Sequence, residues 1–183
     1  MVENRMPPTT ETNEPAGLPE HPEPDEPDLQ LEPRGSAHGK GMWRIARDSG
    51  TLDLNSSYAY LLFSRDFGET CRVALEEDEV VGFILGYRRP TAPERLFIWQ
   101  IAVDESVRQG RVGSRMLDEL FASLQDVHFV ETTITDDNVG SRRLFESFAR
   151  RHGGEIVHSP LFRAEDFPDA HEPESLYVIS GIG

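Results

Sequence analysis

The sequence predicts an α/β domain, a mixed β-sheet with helices on its faces. Three observations predict it. Short β-rich runs alternate with segments whose apolar residues recur at helical spacing. One run, Leu96 to Val103 (LFIWQIAV), is nearly all apolar, as a central strand buried on both faces would be. The chain has 183 residues and is 37% hydrophobic, which suits one domain and is too short for two.

The elements follow in order. Residues 1–40 stand apart: eight of the 13 prolines fall there, with nine acidic side chains against three basic ones. Such a segment buries too little apolar surface to offset its ordering entropy, so a disordered arm is expected, with the domain proper over 41–183. Trp43 to Arg47 alternates and predicts a short strand. Asp53, Asn55 and Ser56 are capping types ahead of Tyr58, Leu61 and Leu62, so a helix starts there. Cys71 to Leu75 and Val80 to Tyr87 predict a hairpin about the charged turn Glu76 to Glu79. The central strand comes next. Val112, Met116, Leu117, Leu120, Phe121 and Leu124 then mark a helix. Phe129 to Ile134 is a strand. Leu144, Phe145 and Phe148 mark a second long helix, ending near Arg150-Arg151-His152-Gly153. Leu176 to Ile179 closes with a strand.

Charge and composition exclude several functions. The net charge is −15, so wide nucleic-acid binding is disfavoured because phosphates are repelled. No apolar run is long enough for a membrane helix, and the N-terminus lacks the apolar core of a secretory signal. The expected compartment is the cytoplasm. A lone cysteine, Cys71, excludes an internal disulfide framework and a cysteine-rich zinc site, and a strand cysteine reads as a small buried hydrophobe. Of the 18 basic residues only Lys40 is lysine. That bias fits either a high-salt solubility strategy or GC-rich codon usage, and composition does not separate the two.

The most informative stretch follows the central strand. Val103 leads into a loop bearing Arg108, Gly110, Arg111 and Gly113, and a helix then begins. Free N–H groups and the helix dipole make such a start an anion site. Arginines add charge-assisted bonds. The loop lacks the Gly-Lys-Ser/Thr ending of a Walker loop and the glycine spacing of a dinucleotide fingerprint. It resembles the acetyl-CoA pyrophosphate loop of the GNAT superfamily of N-acetyltransferases, Arg/Gln-x-x-Gly-x-Gly/Ala. Arg108 takes the first place, Gly113 the last, and Arg111 the place usually held by glycine. A second superfamily element, Asn-x-x-Ala/Ser-x-x-Leu-Tyr, is matched from Asn138 through Ser141 to Leu144 and Phe145. Its tyrosine, which protonates the leaving thiolate in many relatives, is Phe145 here, and a phenyl ring cannot donate a proton. Asn138 also reads as a helix N-cap.

Five further blocks narrow the resemblance: Leu52 to Tyr60, Gly82 to Arg88, Phe97 to Val103, Glu131 to Asn138, and His171 to Tyr177. In this order they resemble the branch of the superfamily that acetylates L-2,4-diaminobutyrate in the biosynthesis of the compatible solute ectoine. The resemblance implies acetyl-CoA as co-substrate, no metal, and a homodimer. It implies that Ile101, Ala102, Val103, Arg108, Gly110, Arg111, Val112, Gly113, Ser114, Asn138 and Ser141 hold coenzyme A. N–H groups near Ala102 and Val103 would polarise the thioester carbonyl. It places Asp53, Tyr58, Trp99, His171, Glu172 and Glu174 around the diamine.

The chemistry agrees. An alkyl ammonium has a pKa of about 10, so the site must remove a proton and desolvate the nitrogen. The second ammonium needs an anionic holder. Glu172, Glu174 and Glu131 are candidate bases, Glu131 reading more readily as a charge on a solvated face. Plainer roles stand beside these: Asp53 as a helix cap, Tyr58, Tyr60 and Trp99 as core aromatics. The alternatives are acetylation of another small diamine or amino acid, and a silent acyl-CoA sensor.

Overall fold

The computed structural model describes residues 29–32, 38–50 and 52–183, with the backbone alone for 108–110. In chain order the elements are β1 (Gln30–Glu32), α1 (Gly39–Ser49), α2 (Ser57–Asp66), β2 (Arg72–Glu76), β3 (Glu79–Arg89), β4 (Ala92–Val103), α3 (Val112–Ala122), β5 (Phe129–Thr135), α4 (Val139–Arg151), β6 (Glu155–Phe162) and β7 (Glu174–Ser180). The strands form one mixed sheet in the order β1-β2-β3-β4-β5-β7-β6. Alternation along the strands sends side chains to two cores. Ile84, Leu96, Ile98 and Val130 pack with Met116, Leu117 and Leu120 of α3 and Phe145 and Phe148 of α4. On the other face Val73, Leu75, Phe83 and Leu85 pack with Met42 and Ile45 of α1 and Tyr60 of α2.

Most elements fall where the sequence reading puts them. The β2–β3 turn is made by Glu77 and Asp78, both at positive φ (47° and 69°), the geometry of a tight primed hairpin turn. Three differences have physical causes. Trp43 to Arg47 lie within a helix, not a strand. Five alternating residues fit both templates, and the wider spacing of Met42, Ile45 and Ala46, all buried, decides for α1. The domain also starts before residue 41. Leu29 is buried, Gln30–Glu32 pair antiparallel with β2, and α1 opens at Gly39. Backbone pairing over three residues leaves no periodicity to read. The arm expected over residues 1–40 otherwise lies outside the described residues. Finally, β6 has no counterpart in the sequence reading. It is an edge strand, exposed along most of its length and interrupted by Pro160, so it shows no clean alternation.

The feature that creates a site is a fork. β4 and β5 are parallel neighbours only from Arg95↔Phe129 to Ile98↔Thr132. Beyond that, β4 continues against β3 and β5 against β7, and the two strands part. A β-bulge sits at the parting. Leu85 opposes Gln100 and Gly86 opposes Ile98, leaving Trp99 as the extra residue. A bulge re-aims side chains, and here Trp99 and Gln100 both meet α2. The Trp99 ring lies 4.5 Å from that of Phe63, and Gln100 meets the Tyr60 hydroxyl.

Just below the fork, Glu131 of β5 is 1% exposed and held by Arg89, at 3.0 Å, and Arg95. It is neither a solvated charge nor a member of either cavity described below. It is a buried carboxylate kept tolerable by two guanidinium partners. The signal that would have shown this, two arginines on neighbouring strands, exists only once the register is known.

Candidate active site

Two adjoining hollows open at the fork. The smaller, about 390 Å³, lies between the diverging end of β4 and the N-termini of α3 and α4. The larger, about 840 Å³, lies between β4, β5 and the segment that joins β6 to β7. Leu52 and Asn138 line both, so the two form one passage.

The smaller cleft is made largely of backbone and small residues. Ile101, Ala102 and Val103 form one wall; Arg111, Val112, Gly113, Ser114, Asn138 and Ser141 form the other. Ser49, Leu52, Gly140 and Leu144 complete it and were not among the residues expected to hold coenzyme A. The 3₁₀ turn Glu105–Gly110 leads into α3, and Asp104 caps it by accepting from the Ser106 N–H at 3.1 Å. Arg44 donates to Asp104 at 2.8 Å and, with the Ser106 bonds, holds the Asp104 carboxyl below its usual range. Arg111 precedes α3 in the left-handed region, φ 54°, and gives the helix start no side-chain cap. A Cβ on Gly113 would lie 3.6 Å from Val103, within the cleft wall. The Arg108 side chain lies outside the described residues, and Gly110 closes the 3₁₀ turn. Asn138 caps α4, accepting from the Ser141 N–H at 3.0 Å. Both helix starts thus face one hollow, an arrangement suited to an anion.

The edge of β4 adds donors. The Asp104 N–H donates to the Val81 carbonyl at 2.8 Å, which makes that a hydrogen-bonded pair. Antiparallel pairs alternate, so the N–H and C=O groups of Val103 and Ile101 point away from β3, into the fork where β5 no longer pairs. The donors expected near Ala102 and Val103 are therefore those of Val103 and Ile101; Ala102 faces β3.

The larger cavity is built from side chains distant in sequence. Of the residues the resemblance places around the diamine, Asp53, Trp99, His171, Glu172 and Glu174 line it. Tyr58 does not. It stands on the outer face of α2, 65% exposed, while Tyr60 two residues on points into the core. Asp53 is not the helix cap, because Ser56 caps α2. Its carboxylate instead lies 2.8 Å from Nε2 of His171, whose Nδ1 lies 2.6 Å from the Glu172 carbonyl. Glu174 is 3.7 Å from the same Nε2. Phe167 stacks on the imidazole at 4.0 Å. The Asp53 carboxylate, then the Glu172 carbonyl, raise the His171 pKa above its ordinary value. Asp53, His171 and Glu174 offer three ligand atoms within 4.8 Å of one another, but their spacing is that of an imidazole shared by two carboxylates, and they have the chemistry to hold an ammonium. Sequence reasoning missed Gln100, Thr133, Thr135, Phe162, Phe167 and Asp169, which also line the cavity. Gln100 left a signal, a polar residue inside an apolar run; the others left none.

Two side chains are removed from the chemistry. Cys71 is buried, and burial pushes its thiol up to about 11, so it is no nucleophile. Phe145 lies in the core beneath α4 and cannot serve as an acid.

Known proteins resemble this chain in sequence and in fold. Residues 22–149 match the model of the acetyltransferase (GNAT) family. The L-2,4-diaminobutyric acid acetyltransferase of Streptomyces avermitilis is 48% identical over 159 residues, covering 84% of this chain and 89% of that one. That of Halomonas elongata is 37% identical over 144 residues, covering 77% and 75%. Diaminobutyrate acetyltransferase EctA from Paenibacillus lautus, solved with L-2,4-diaminobutyric acid and coenzyme A, superposes with a TM-score of 0.81 at 38% identity, over 84% of this chain and 95% of that one.

Proposed function

The chain belongs to the acetyltransferase (GNAT) family, and from that premise we propose that it transfers acetyl from acetyl-CoA to the terminal (N4) amine of L-2,4-diaminobutyrate. The observation that carries the reading is the likeness, in fold and over most of both chains, to an enzyme solved with that diamine and coenzyme A. The two hollows support it. The backbone-walled cleft suits a pyrophosphate and a thin arm, and the acidic cavity suits a small dication.

The residues divide the work. Acetyl-CoA supplies the acyl carbon as a thioester. Arg111, Gly113, Ser114 and the α3 start hold its anionic end, Asn138 and Ser141 line the arm, and the N–H of Val103 meets charge developing on the thioester oxygen. Asp53 and Glu174 hold the α-ammonium, which leaves the terminal nitrogen facing the acyl carbon. Trp99 and Phe167 exclude water, favouring the neutral amine. Glu172, which lines the same cavity, receives the proton that the attacking nitrogen sheds. With Cys71 sealed, direct transfer in a ternary complex is favoured over a covalent enzyme intermediate.

The same reading places the protein in the cytoplasm, in ectoine biosynthesis under osmotic stress, as a homodimer with no nucleic-acid or membrane partner. Among the described residues no helix is long and apolar enough to cross a membrane. The exposed Val157, Leu161 and Phe162 of the β6 edge offer a surface for a second copy.

Incubation with acetyl-CoA and diaminobutyrate, with mass spectrometry locating the acetyl group, tests the proposal. Acetylation at N4 with thiol release is expected. Preference for ornithine, lysine or a polyamine overturns the substrate assignment, and coenzyme binding without thiol release on any amine overturns the activity.

A further inference from the structure

Gln100 is 5% exposed and sits among apolar neighbours on β4. A buried carboxamide is costly unless both its ends are bonded. Both ends are, and to different elements. The Tyr60 hydroxyl donates to its Oε1 at 3.1 Å, and its Nε2 donates to the backbone carbonyl of Asp53 at 2.8 Å. Tyr60 is itself fully buried, edge-on to Phe83 with ring centroids 6.0 Å apart. A chain of hydrogen bonds therefore runs from the core through Gln100 to the loop before α2.

That loop needs an anchor. Residues 53–56 belong to no helix or strand, and the Asp53 side chain is 76% exposed. Its carboxylate meets His171 across 118 positions of sequence, so its place depends on where the loop is held. The bulge at Trp99 aims Gln100 at this loop; in a regular strand, Trp99 and Gln100 would point to opposite faces.

We infer that Gln100 is a positioning residue that fixes the Asp53 carboxylate in the larger cavity and thereby sets selectivity for an amine carrying an α-ammonium. The inference rests on the reading of Asp53 as holder of that ammonium. Gln100 acts through Asp53 and takes no part in bond making.

Kinetics of the full chain test this, comparing kcat/KM for diaminobutyrate with that for 4-aminobutyrate, which lacks the α-amino group. Gln100→Met removes both bonds at similar volume. It should raise the diaminobutyrate KM about tenfold, leave the acetyl-CoA KM unchanged and lower the selectivity ratio by about the same factor. Tyr60→Phe removes the bond to Gln100 together with the hydrogen bonds between the hydroxyl and Asn55 of the same loop, and should lower the ratio about threefold. In an Asp53→Asn background, Gln100→Met should add little, because the two residues act as one unit. A role confined to packing would depress kcat for both amines alike and leave the ratio where it was. An unchanged ratio in Gln100→Met, or additivity with Asp53→Asn, overturns the inference alone. An unchanged ratio in Asp53→Asn overturns the reading of Asp53 and the inference with it. If Gln100→Met does not fold, Gln100→Glu, which keeps the acceptor for Tyr60 and loses the amide donor to the Asp53 carbonyl, decides by the same ratio, a drop supporting the tether and no drop rejecting it.

Discussion

The two hollows at the fork are built by opposite means. The smaller takes its shape from main chain: a strand edge, two helix starts and a glycine. The larger takes its shape from side chains delivered by five separate segments, around residues 53, 87, 99, 133 and 171. A site made of main chain should tolerate altered side chains and fail when backbone donors or space are lost. A site made of side chains should respond in the reverse way.

The largest effect should come from Val103→Pro, which deletes a main-chain donor without changing charge. If its N–H meets the developing oxyanion, turnover should fall by about 10²- to 10³-fold, with the fold checked by circular dichroism. Unchanged turnover would remove the main-chain side of the contrast. Next, Asp53→Asn or Glu174→Gln should reduce kcat/KM for diaminobutyrate by about 10- to 100-fold, leaving the acetyl-CoA KM within about twofold. Equal losses toward both substrates would show that the hollows are not separable.

The contrast also explains what the sequence made legible. The loop from Val103 to Gly113 and the segment from Asn138 to Phe145 are contiguous, because a backbone-built site needs one uninterrupted turn into a helix. Their residues could be read in order, and those described in full lie in the cleft wall. Asp53 and His171 meet only through the folded sheet. They were placed by resemblance to whole blocks, and that route brought in Tyr58, which faces outward. Glu131 shows the same limit, since a lone acid in a strand gives no hint of the arginines at Arg89 and Arg95. The mixed sheet and most helices were legible because apolar period reports burial. β1 and β6 were not, because edge pairing is made by the main chain and needs no such period.

Smaller effects sharpen the comparison. Arg111 holds a left-handed conformation that costs a residue with a Cβ about 1–2 kcal/mol. Arg111→Gly should raise the thermal midpoint by a few degrees, a net gain of about 1 kcal/mol after glycine's unfolded-state entropy. Calorimetry of the variant reads this directly. Its acetyl-CoA KM should rise only a few-fold, since main chain supplies most of the site.

The smallest effect concerns pH. His171 has a raised pKa, so its pairing with Asp53 and Glu174 contributes stability that is complete below its unfolded value of about 6.5 and lost as pH rises through the folded value. The charged imidazole also competes with a substrate ammonium for the same acids. The diaminobutyrate KM should therefore fall about two- to threefold as pH rises through that range, and His171→Gln should flatten the profile. A steeper profile in the variant would count against the competition.

The sealed thiol of Cys71 has a practical consequence. With one cysteine in 183 residues, and that one buried with its pKa near 11, the folded protein presents a blank background to maleimides and to thiol-detecting dyes. Coenzyme released by turnover can be followed with such a dye without masking the enzyme. A cysteine installed at the rim of the larger cavity, at Phe162, would take a single fluorescent label and turn the filling of that cavity into a signal.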